Sequence, residues 1–449
     1  TLMQNASPLP KGRYLHWDEL RRREPPQGLY HDAWWGTVLI GRIPLMQNLP
    51  LLDKRGNPFK FATPSPVLID LHQIDRDAAG HIHNTIGTPI QEDPNRYLLS
   101  SLIEEAITSS QLEGASTTRQ VAAAMLREGR KPRDHGETMI FNNYRAMEHL
   151  RSLKQDPITP DLILELHGIL TENTLEDPAD AGRLRKADDV RVVDSRDNTV
   201  LHDPPTHTEL PERLERLCAF ANSDESALPF MPQRVLVPQR VFMPQRVFMP
   251  QRVFVHPVLR AILLHFMLGY DHPFVDGNGR TARALFYWSM ARSGYWLMEY
   301  TSISHILRKA PARYMRAYLH TETDQNDTTY FLLHQLGTIR RAIVALHDYL
   351  SRKGQEQKET EKMLSASPKL RTRFNHRQIA LLTHALRRPG EEGYRVDAHQ
   401  RSHNVAYQTA RNDLLDLHAL GLLEKARQGN AYVFFAPEDL RDRLTALAN

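Results

Sequence analysis

The chain has 449 residues, of which 41% are hydrophobic and 24% charged, and its formal net charge is +4. These values are ordinary for a soluble globular protein of two or three domains, and the small net charge excludes the whole chain as an obvious polyanion binder. No apolar run approaches the roughly 20 residues that cross a bilayer, and the N-terminus does not resemble a signal peptide. The single cysteine, Cys218, excludes an intrachain disulfide. We therefore expect a cytoplasmic protein without a membrane partner.

Residues 1–94 alternate short apolar patches with proline and glycine. This composition predicts an irregular N-terminal segment that packs on the later parts of the chain. Trp34 and Trp35 lie in the most apolar patch, and we interpret them as core residues rather than as a recognition surface.

Three helices are predicted in the next part of the chain. Residues 95–112 carry apolar side chains at helical spacing, and residues 136–156 do the same. Thr159 can cap a third helix, with Pro160 at its first position. His167 lies within the apolar pattern of that third helix, so we interpret it as a hydrogen-bonded core histidine.

Residues 182–205 change in character and predict a short β-hairpin. Val190, Val192 and Val193 precede a polar turn at 194–198, and Val200 follows it. Taken alone, this pattern indicates a structural hairpin.

Residues 231–254 contain four copies of a hexapeptide of the type Met-Pro-Gln-Arg-Val-Phe. The repeated prolines exclude a helix and favour extended backbone. A six-residue period does not match a solenoid repeat with its own core.

The most informative stretch, residues 271–283, reads Asp-His-Pro-Phe-Val-Asp-Gly-Asn-Gly-Arg-Thr-Ala-Arg and lies between predicted helices at 257–270 and 280–292. Gly277 and Gly279 allow a tight turn that exposes backbone N–H groups at a helix N-terminus. Such a turn binds anions, and phosphate groups above all.

The charged residues of this stretch extend that interpretation. Arg280 and Arg283 share a face of the first helical turn, where each cation costs roughly 0.3–1 kcal/mol unless an anion offsets it. Asp276 offers hard oxygen atoms to a Mg²⁺ ion shared with phosphates. His272 is the group in the loop that titrates near neutral pH, and it is therefore the natural general base.

These residues fill the pattern H-P-F-x-(D/E)-G-N-G-R-x-x-R, so the chain resembles the Fic family, whose usual activity transfers AMP from ATP to a protein hydroxyl. The resemblance implies that His272 is the base for the target hydroxyl and that Asp276 binds Mg²⁺. It also implies a nucleotide site made of Phe274, Gly277, Asn278, Gly279, Arg280 and Arg283. Family members with lysine after the asparagine phosphorylate instead, and Gly279 at that position favours nucleotidyl transfer.

Residues 109–114 match a second family pattern, (S/T)-x-x-x-E-(G/N), through Ser109, Glu113 and Gly114. In class II members of the family, an N-terminal helix with this pattern inhibits the enzyme. The resemblance therefore implies that Glu113 is inhibitory and competes with a phosphate of ATP for Arg283.

The hairpin also gains a function from the resemblance. In Fic proteins a hairpin before the motif, the flap, pairs with the backbone of the target protein and presents its hydroxyl. Val190, Val192, Val193 and Val200 would form this target-docking flap by β-augmentation.

Residues 371–449 predict a winged helix-turn-helix domain. Helices are expected at 375–386 and 405–420, followed by strands at 422–426 and 431–435. This part holds 12 Lys and Arg against 9 Asp and Glu, which is only mildly basic. Asp413 and Asp416 on the candidate recognition helix would repel phosphates unless they face away. DNA binding therefore stands beside protein binding or dimerisation as an interpretation.

The sequence as a whole predicts a mainly α fold: a Fic-type helical core with a short β-hairpin flap, followed by the winged helix-turn-helix. The expected parts are an N-terminal segment at 1–94, an inhibitory helix region at 95–135, a catalytic core at 136–350 with the insertion at 231–254, a linker or solvated helix at 351–370 and the C-terminal domain at 371–449.

The expected function is protein adenylyl transfer, restrained by Glu113, with Mg²⁺ as cofactor and ATP as co-substrate. The expected partner is an unidentified protein substrate, the chain itself is a further candidate substrate, and a homodimer is compatible with this interpretation. Two alternatives stay open. One is removal of AMP from a protein with the help of Glu113, and the other is a transcriptional regulator whose Fic fold senses nucleotide.

Overall fold

The computed structural model describes residues 7–79, 94–193, 199–223, 253–365, 373–386, 393–428 and 431–448. The described chain is mainly helical, as predicted. Within these ranges, no helix has both the length and the apolar character needed to cross a membrane. The hexapeptide insertion lies outside the described residues except for Val253 and Phe254.

The α-helices are α1 Trp17–Leu20, α2 His31–Arg42, α3 Ser65–Ala78, α4 Pro94–Leu112, α5 Arg119–Glu128, α6 His135–Ser152, α7 Pro160–Thr171, α8 Leu210–Asn222, α9 Pro257–Asp271, α10 Asn278–Arg292, α11 Ile303–Arg308, α12 Pro311–Thr323, α13 Thr329–Ser365, α14 His376–Ala385, α15 Val396–His403, α16 Tyr407–Ala419 and α17 Leu440–Ala448. The strands are β1 Gln47–Leu52, β2 Pro58–Phe61, β3 Val192–Val193, β4 Val200–His202, β5 Gly393–Arg395, β6 Glu424–Gln428 and β7 Ala431–Phe435. All strand pairs are antiparallel: β1 with β2, β3 with β4, and β7 between β5 and β6.

The chain forms two compact units. The first contains residues 1–79, 145–295 and 303–341, and the second contains residues 80–144, 296–302 and 342–449.

Helices α9 and α10 form the centre of the first unit. His256 caps α9 by accepting a hydrogen bond from the backbone N–H of Val258, and Pro257 occupies the first turn as predicted. The apolar side chains of α9 from 258 to 268 are buried, as is Trp288 of α10. Because both helices are buried on nearly every face, the loop between them is held by packing on both sides.

The prediction of an irregular N-terminal segment is wrong. Helices α1 to α3 and the β1–β2 hairpin form there, and Trp34 is buried as expected. The prolines lie at positions that the secondary structure tolerates. Pro66, for example, is in the first turn of α3, where its missing N–H costs nothing. Because these elements are short and separated by proline, the sequence pattern did not reveal that the segment is folded.

The second unit contains the predicted helix at 95–112, which is α4. The hydroxyl of Ser110 in α4 donates to the carbonyl oxygen of Met139 in α6 over 3.2 Å. The sequence predicted a linker or a solvated helix at 351–370. Helix α13 continues to Ser365, so residues 351–365 are helical.

The end of the second unit has the element order α14, β5, α15, α16, β6, β7, α17. The sequence predicted α14, α16 and both later strands, but it missed β5, α15 and α17. The apolar residues of this C-terminal part, among them Leu382, Leu414 and Phe434, form one buried cluster. The assignment of this part to the winged helix-turn-helix fold stays a prediction.

Asp413 of α16 faces this core rather than solvent. It is 3% exposed, and its carboxylate accepts hydrogen bonds from Arg377 at 2.6 and 3.0 Å and from Asn375 at 2.8 Å. His399 lies 3.2 Å from it. Burial raises the pKa of Asp413, but the hydrogen bonds from His399, Arg377 and Asn375 outweigh burial and lower it below the ordinary value.

The stability of this unit should therefore fall in acid. Because the folded pKa of Asp413 is depressed, its stabilising contribution is complete above the unfolded pKa of about 3.9 and is lost as the pH falls below it. We expect the urea midpoint to fall between pH 6 and pH 3 more steeply for the parent chain than for Asp413→Asn. Equal slopes would mean that Asp413 does not contribute to the pH dependence.

Candidate active site

The candidate catalytic loop begins where α9 ends, at His272. This residue has φ +45° and ψ +56°, and its backbone N–H donates to the carbonyl of Leu268 over 3.1 Å. Its Nδ1 lies 3.1 Å from the carbonyl oxygen of Gly269. Since a carbonyl oxygen only accepts, Nδ1 carries the proton of the neutral ring and Nε2 carries the lone pair. The backbone thus sets the tautomer in which Nε2 can act as a base.

The side chain of Asn278 bridges the loop by two hydrogen bonds to the backbone of Phe274. Its Oδ1 accepts from the backbone N–H of Phe274 at 3.0 Å, and its Nδ2 donates to the carbonyl oxygen of Phe274 at 2.8 Å. Phe274 is fully buried and Asn278 is 3% exposed. The Asn278 side chain therefore shapes the loop, and its backbone begins α10.

His167 of α7 supports the loop from below, and its interpretation as a hydrogen-bonded core histidine is confirmed. Its ring stacks on Phe274 with centroids 3.7 Å apart. Its Nδ1 accepts from the backbone N–H of Gly182 at 3.0 Å, so its Nε2 donates to the carbonyl oxygen of Asp276 at 2.9 Å. Burial lowers the pKa of His167 to about 4, against the hydrogen bond to Asp276, which raises it. A neutral His167 thus fixes the position of the Asp276 backbone.

Gly277 is required by both conformation and space. Its φ is +83°, and a Cβ there would lie 2.8 Å from Cγ2 of Thr171 and 3.3 Å from the ring of His167. Thr171 cannot easily rotate away, because its hydroxyl donates to the carbonyl oxygen of His167 over 2.6 Å.

Gly277→Ala should therefore destabilise the protein more than Gly294→Ala. Gly294 has φ +82°, but a Cβ there would meet nothing within 4 Å, so it isolates the backbone cost of about 1–2 kcal/mol. Crowding at Gly277 adds about 1–3 kcal/mol. Unfolding free energies from urea titration measure the difference. Equal losses of unfolding free energy in the two variants would show that the residues around Gly277 move to accommodate the added Cβ.

Two arginines of α10 are buried beside the loop. Arg280 is fully buried, and its Nη1 donates to the carbonyl oxygen of Leu170 at 2.9 Å while its Nη2 lies 3.3 Å from Oδ2 of Asp276. Arg283 is 2% exposed. The Asp276 side chain remains 55% exposed at the surface of the loop. A carboxylate accessible to solvent is thus oriented by a buried cation.

Arg185 is a site residue that sequence reasoning missed. It is 4% exposed, and its backbone N–H donates to the carbonyl of Pro273 at 2.9 Å. Its Nε donates to the carbonyl oxygen of His272 at 3.0 Å, and its Nη2 donates to that of Pro205. One guanidinium therefore joins the loop to the segments on both sides of the hairpin. No spacing or composition signal marks this position.

The predicted hairpin forms as β3 and β4. Val192 pairs with His202, and Val193 pairs with Val200. Val193 and Val200 are 44% and 48% exposed, whereas Val190 is half-buried. The expected polar turn at 194–198 lies outside the described residues.

The predicted inhibitory residues belong to the second unit. Ser109 is buried near the end of α4, and Glu113 is exposed just after it. Gly114 has φ +95°, and the N–H of the next residue, Ala115, donates to the carbonyl oxygen of Ser110 over 3.0 Å. The glycine thus ends the helix at the expected place.

Comparison with known proteins gives the same family. A profile described as "Fic/DOC family" matches residues 157–290. "Protein adenylyltransferase fic-1" of Caenorhabditis elegans is 28% identical over 250 residues, which are 55% of this chain and 41% of that protein. "Protein adenylyltransferase Fic" of Drosophila melanogaster is 27% identical over 222 residues, 49% of this chain and 37% of that protein. The matches thus span less than half the length of these relatives.

A solved structure of a Fic family protein from Desulfovibrio desulfuricans G20 covers 84% of this chain and 97% of its own, with 17% identity and a TM-score of 0.47. The family profile begins before α7 and ends within α10, so it includes the hairpin, Arg185 and the complete loop. Residues 157–290 of this chain therefore match the Fic/DOC family profile.

Proposed function

We propose that the chain transfers AMP from ATP to a hydroxyl group of a protein. The observation that supports this most directly is the state of His272, whose Nδ1 is committed to the carbonyl of Gly269 while Nε2 keeps the lone pair of a base. This base stands at the start of a loop that leads into the N-terminus of α10. A base beside an anion-binding helix end suits attack of a hydroxyl on a phosphate.

The helix end would bind the polyphosphate. Asn278, Gly279 and Arg280 begin α10, and the N–H groups of a first turn have no acceptor within their own helix. Arg283, one turn further on, would pair with a terminal phosphate. The α-phosphate would lie at Gly277, Asn278 and Gly279. The buried side chain of Phe274 would anchor this loop in the core.

The exposed carboxylate of Asp276 fits a magnesium ion that accompanies ATP. Its donors are hard oxygens, and its orientation is set by Arg280 at 3.3 Å and by the hydrogen bond between His167 and its own backbone. When bound, Mg²⁺ would neutralise charge on the phosphates. Arg280 would thus act on the nucleotide partly through Asp276.

In the proposed reaction, Nε2 of His272 takes the proton of the target hydroxyl as its oxygen attacks the α-phosphorus. A new P–O bond forms to the target, the bond to the β-phosphate oxygen breaks, and pyrophosphate leaves. Arg185 keeps the carbonyl of His272 in place during this step through its Nε. Exposed Val193 and Val200 would dock the target backbone alongside the hairpin.

Labelled ATP tests the proposal. The full chain is incubated with Mg²⁺ and cell lysate, once with label on the α-phosphate and once with label on the γ-phosphate. Relative to lysate without the chain, AMP transfer predicts additional protein-bound label from α-labelled ATP alone. Protein label from the γ-phosphate would instead identify a kinase, and absence of both labels, also from the Glu113→Gly variant, would reject transfer.

A further inference from the structure

A second cluster of ligating side chains lies in the first unit, outside the catalytic loop. It consists of His16, just before α1, Asp18 in the first turn of α1 and His320 in the last turn of α12. Oδ2 of Asp18 is 3.8 Å from Nδ1 of His16 and 3.9 Å from Nε2 of His320. One ligand atom from each residue lies within 4.8 Å of the other two.

Hydrogen bonds fix the tautomer of His16. The hydroxyl of Thr323 donates to the carbonyl of Leu319 over 2.6 Å, so its oxygen must accept from Nε2 of His16 at 3.2 Å. The backbone N–H of Asp18 donates to Nδ1 of His16 at 3.2 Å. Both contacts place the proton on Nε2 and the lone pair on Nδ1, where it accepts from the N–H of Asp18, so an ion at Nδ1 would replace this hydrogen bond. A metal-binding histidine is commonly oriented by such a contact to its other nitrogen.

His320 supplies a second, independent observation. It is 7% exposed, and its Nε2 has no hydrogen-bond partner among the residues that the structure describes. A buried nitrogen without a partner in the protein can bind a ligand, water or ion.

We propose that Nδ1 of His16, Oδ2 of Asp18 and Nε2 of His320 bind one divalent transition-metal ion of the Zn²⁺ class. Two imidazole nitrogens and one carboxylate oxygen are ligands that Zn²⁺ accepts, with water in the fourth position. The ion would join the segment before α1 to the end of α12, two parts of the chain that are distant in sequence. Its function would be to hold the N-terminal elements on the first unit.

The present geometry is wider than a metal-bound one. Zn–N and Zn–O bonds of about 2.0–2.2 Å require ligand atoms roughly 3.3–3.5 Å apart. The rings of His16 and His320 stack with centroids 3.9 Å apart and planes 13° from parallel, so at least one ring must tilt. Asp18 can follow, because its side chain is 48% exposed. The same exposure gives the ion a path from solvent.

The surrounding charges do not compete with an ion for Oδ2 of Asp18. Arg21 contacts the other oxygen of Asp18, Oδ1, at 3.4 Å, which leaves Oδ2 toward the histidines. Arg42, the nearest buried cation acting on His16, is balanced by Asp324 at 3.6 Å. Asp18 therefore supplies one negative charge to the ion.

Cobalt is the probe for this site. The full chain is stripped with a chelator, kept free of nucleotide and titrated with Co²⁺, whose visible spectrum is intense when it is four-coordinate. We expect one such ion per chain, displaced by Zn²⁺, and an increase in Tm with Zn²⁺. Asp18→Asn and His320→Ala should each raise the Co²⁺ Kd at least 10-fold. Asp18→Asn changes an exposed side chain, so it remains informative if His320→Ala does not fold.

Two variants control for binding elsewhere. His256→Ala removes another histidine–carboxylate pair, 3.1 Å from Asp75, and Asp276→Asn removes the acidic group of the catalytic loop. Neither should change the cobalt spectrum or its Kd. A parent chain without the four-coordinate spectrum, or Asp18→Asn binding as tightly as the parent, would overturn the proposal.

Discussion

Replacing His272 with alanine should lower the rate of AMP transfer by about 100- to 10,000-fold, the usual contribution of a general base. The residue is placed for this because the carbonyl of Gly269 holds its Nδ1 proton and leaves Nε2 to accept another. The phosphate contacts proposed for Gly279 and Arg283 lie on α10 and do not involve the imidazole. ATP binding, measured by calorimetry with Mg²⁺, should therefore persist in the variant.

The positive φ of His272 calls for a second variant. Alanine is strained at φ +45°, whereas asparagine tolerates this conformation. His272→Asn should thus keep the loop folded yet lose the base, and its activity should be as low as that of His272→Ala. His256→Ala, which removes a histidine at the start of α9, should keep the parent rate. Transfer by His272→Asn at the parent rate would exclude the imidazole as base.

The candidate catalytic loop could be predicted from sequence because the residues that mark it are close together in the chain. Two glycines, a histidine and two arginines occur within residues 271–283, and the flanking helices have simple signals, such as Pro257 at the start of α9. The predicted bounds differ from the structure mainly at α10, which begins at Asn278 rather than Arg280. A loop whose conformation depends on its own glycines can thus be recognised without knowledge of its neighbours.

The supports of the loop could not be predicted in this way. Arg185 reaches the carbonyl of His272 from 87 positions earlier in the chain, and His167 reaches Asp276 from 109 positions earlier. Neither contact leaves a periodic or compositional trace, since a buried arginine and a core histidine occur in many folds. The same reasoning explains Asp413, whose inward orientation depends on Arg377 of another helix.

The second large effect concerns Glu113, which follows the last turn of α4. The residue is exposed, and Gly114 beside it already supplies the positive φ that ends the helix. Glycine in place of Glu113 should therefore change the fold little. Since this substitution removes only the carboxylate-bearing side chain, it separates a regulatory function from a structural one.

Glu113→Gly should raise automodification with AMP by about 10-fold or more, if the resemblance of residues 109–114 to a class II inhibitory helix carries its function. An inhibitory carboxylate would compete with a phosphate of ATP for a cation, and displacement of a reacting group by about 1 Å can cost about 100-fold in rate. The rate of α-labelled AMP incorporation into the chain itself, compared with that of the parent, measures the effect.

Three further substitutions test the length of the side chain at position 113, the effect of removing another carboxylate of α4, and the cation Arg283. Glu113→Asp should activate less than Glu113→Gly, because it keeps the charge on a shorter side chain. Glu104→Gln alters another carboxylate of α4, one that pairs with Arg119 at 2.7 Å, and should leave the rate unchanged. Arg283→Ala should not activate, since the same guanidinium is proposed to bind a phosphate. Equal or lower labelling by Glu113→Gly would refute inhibition by Glu113 while leaving the assignment of His272 intact, because the base is tested independently of the residue that restrains it.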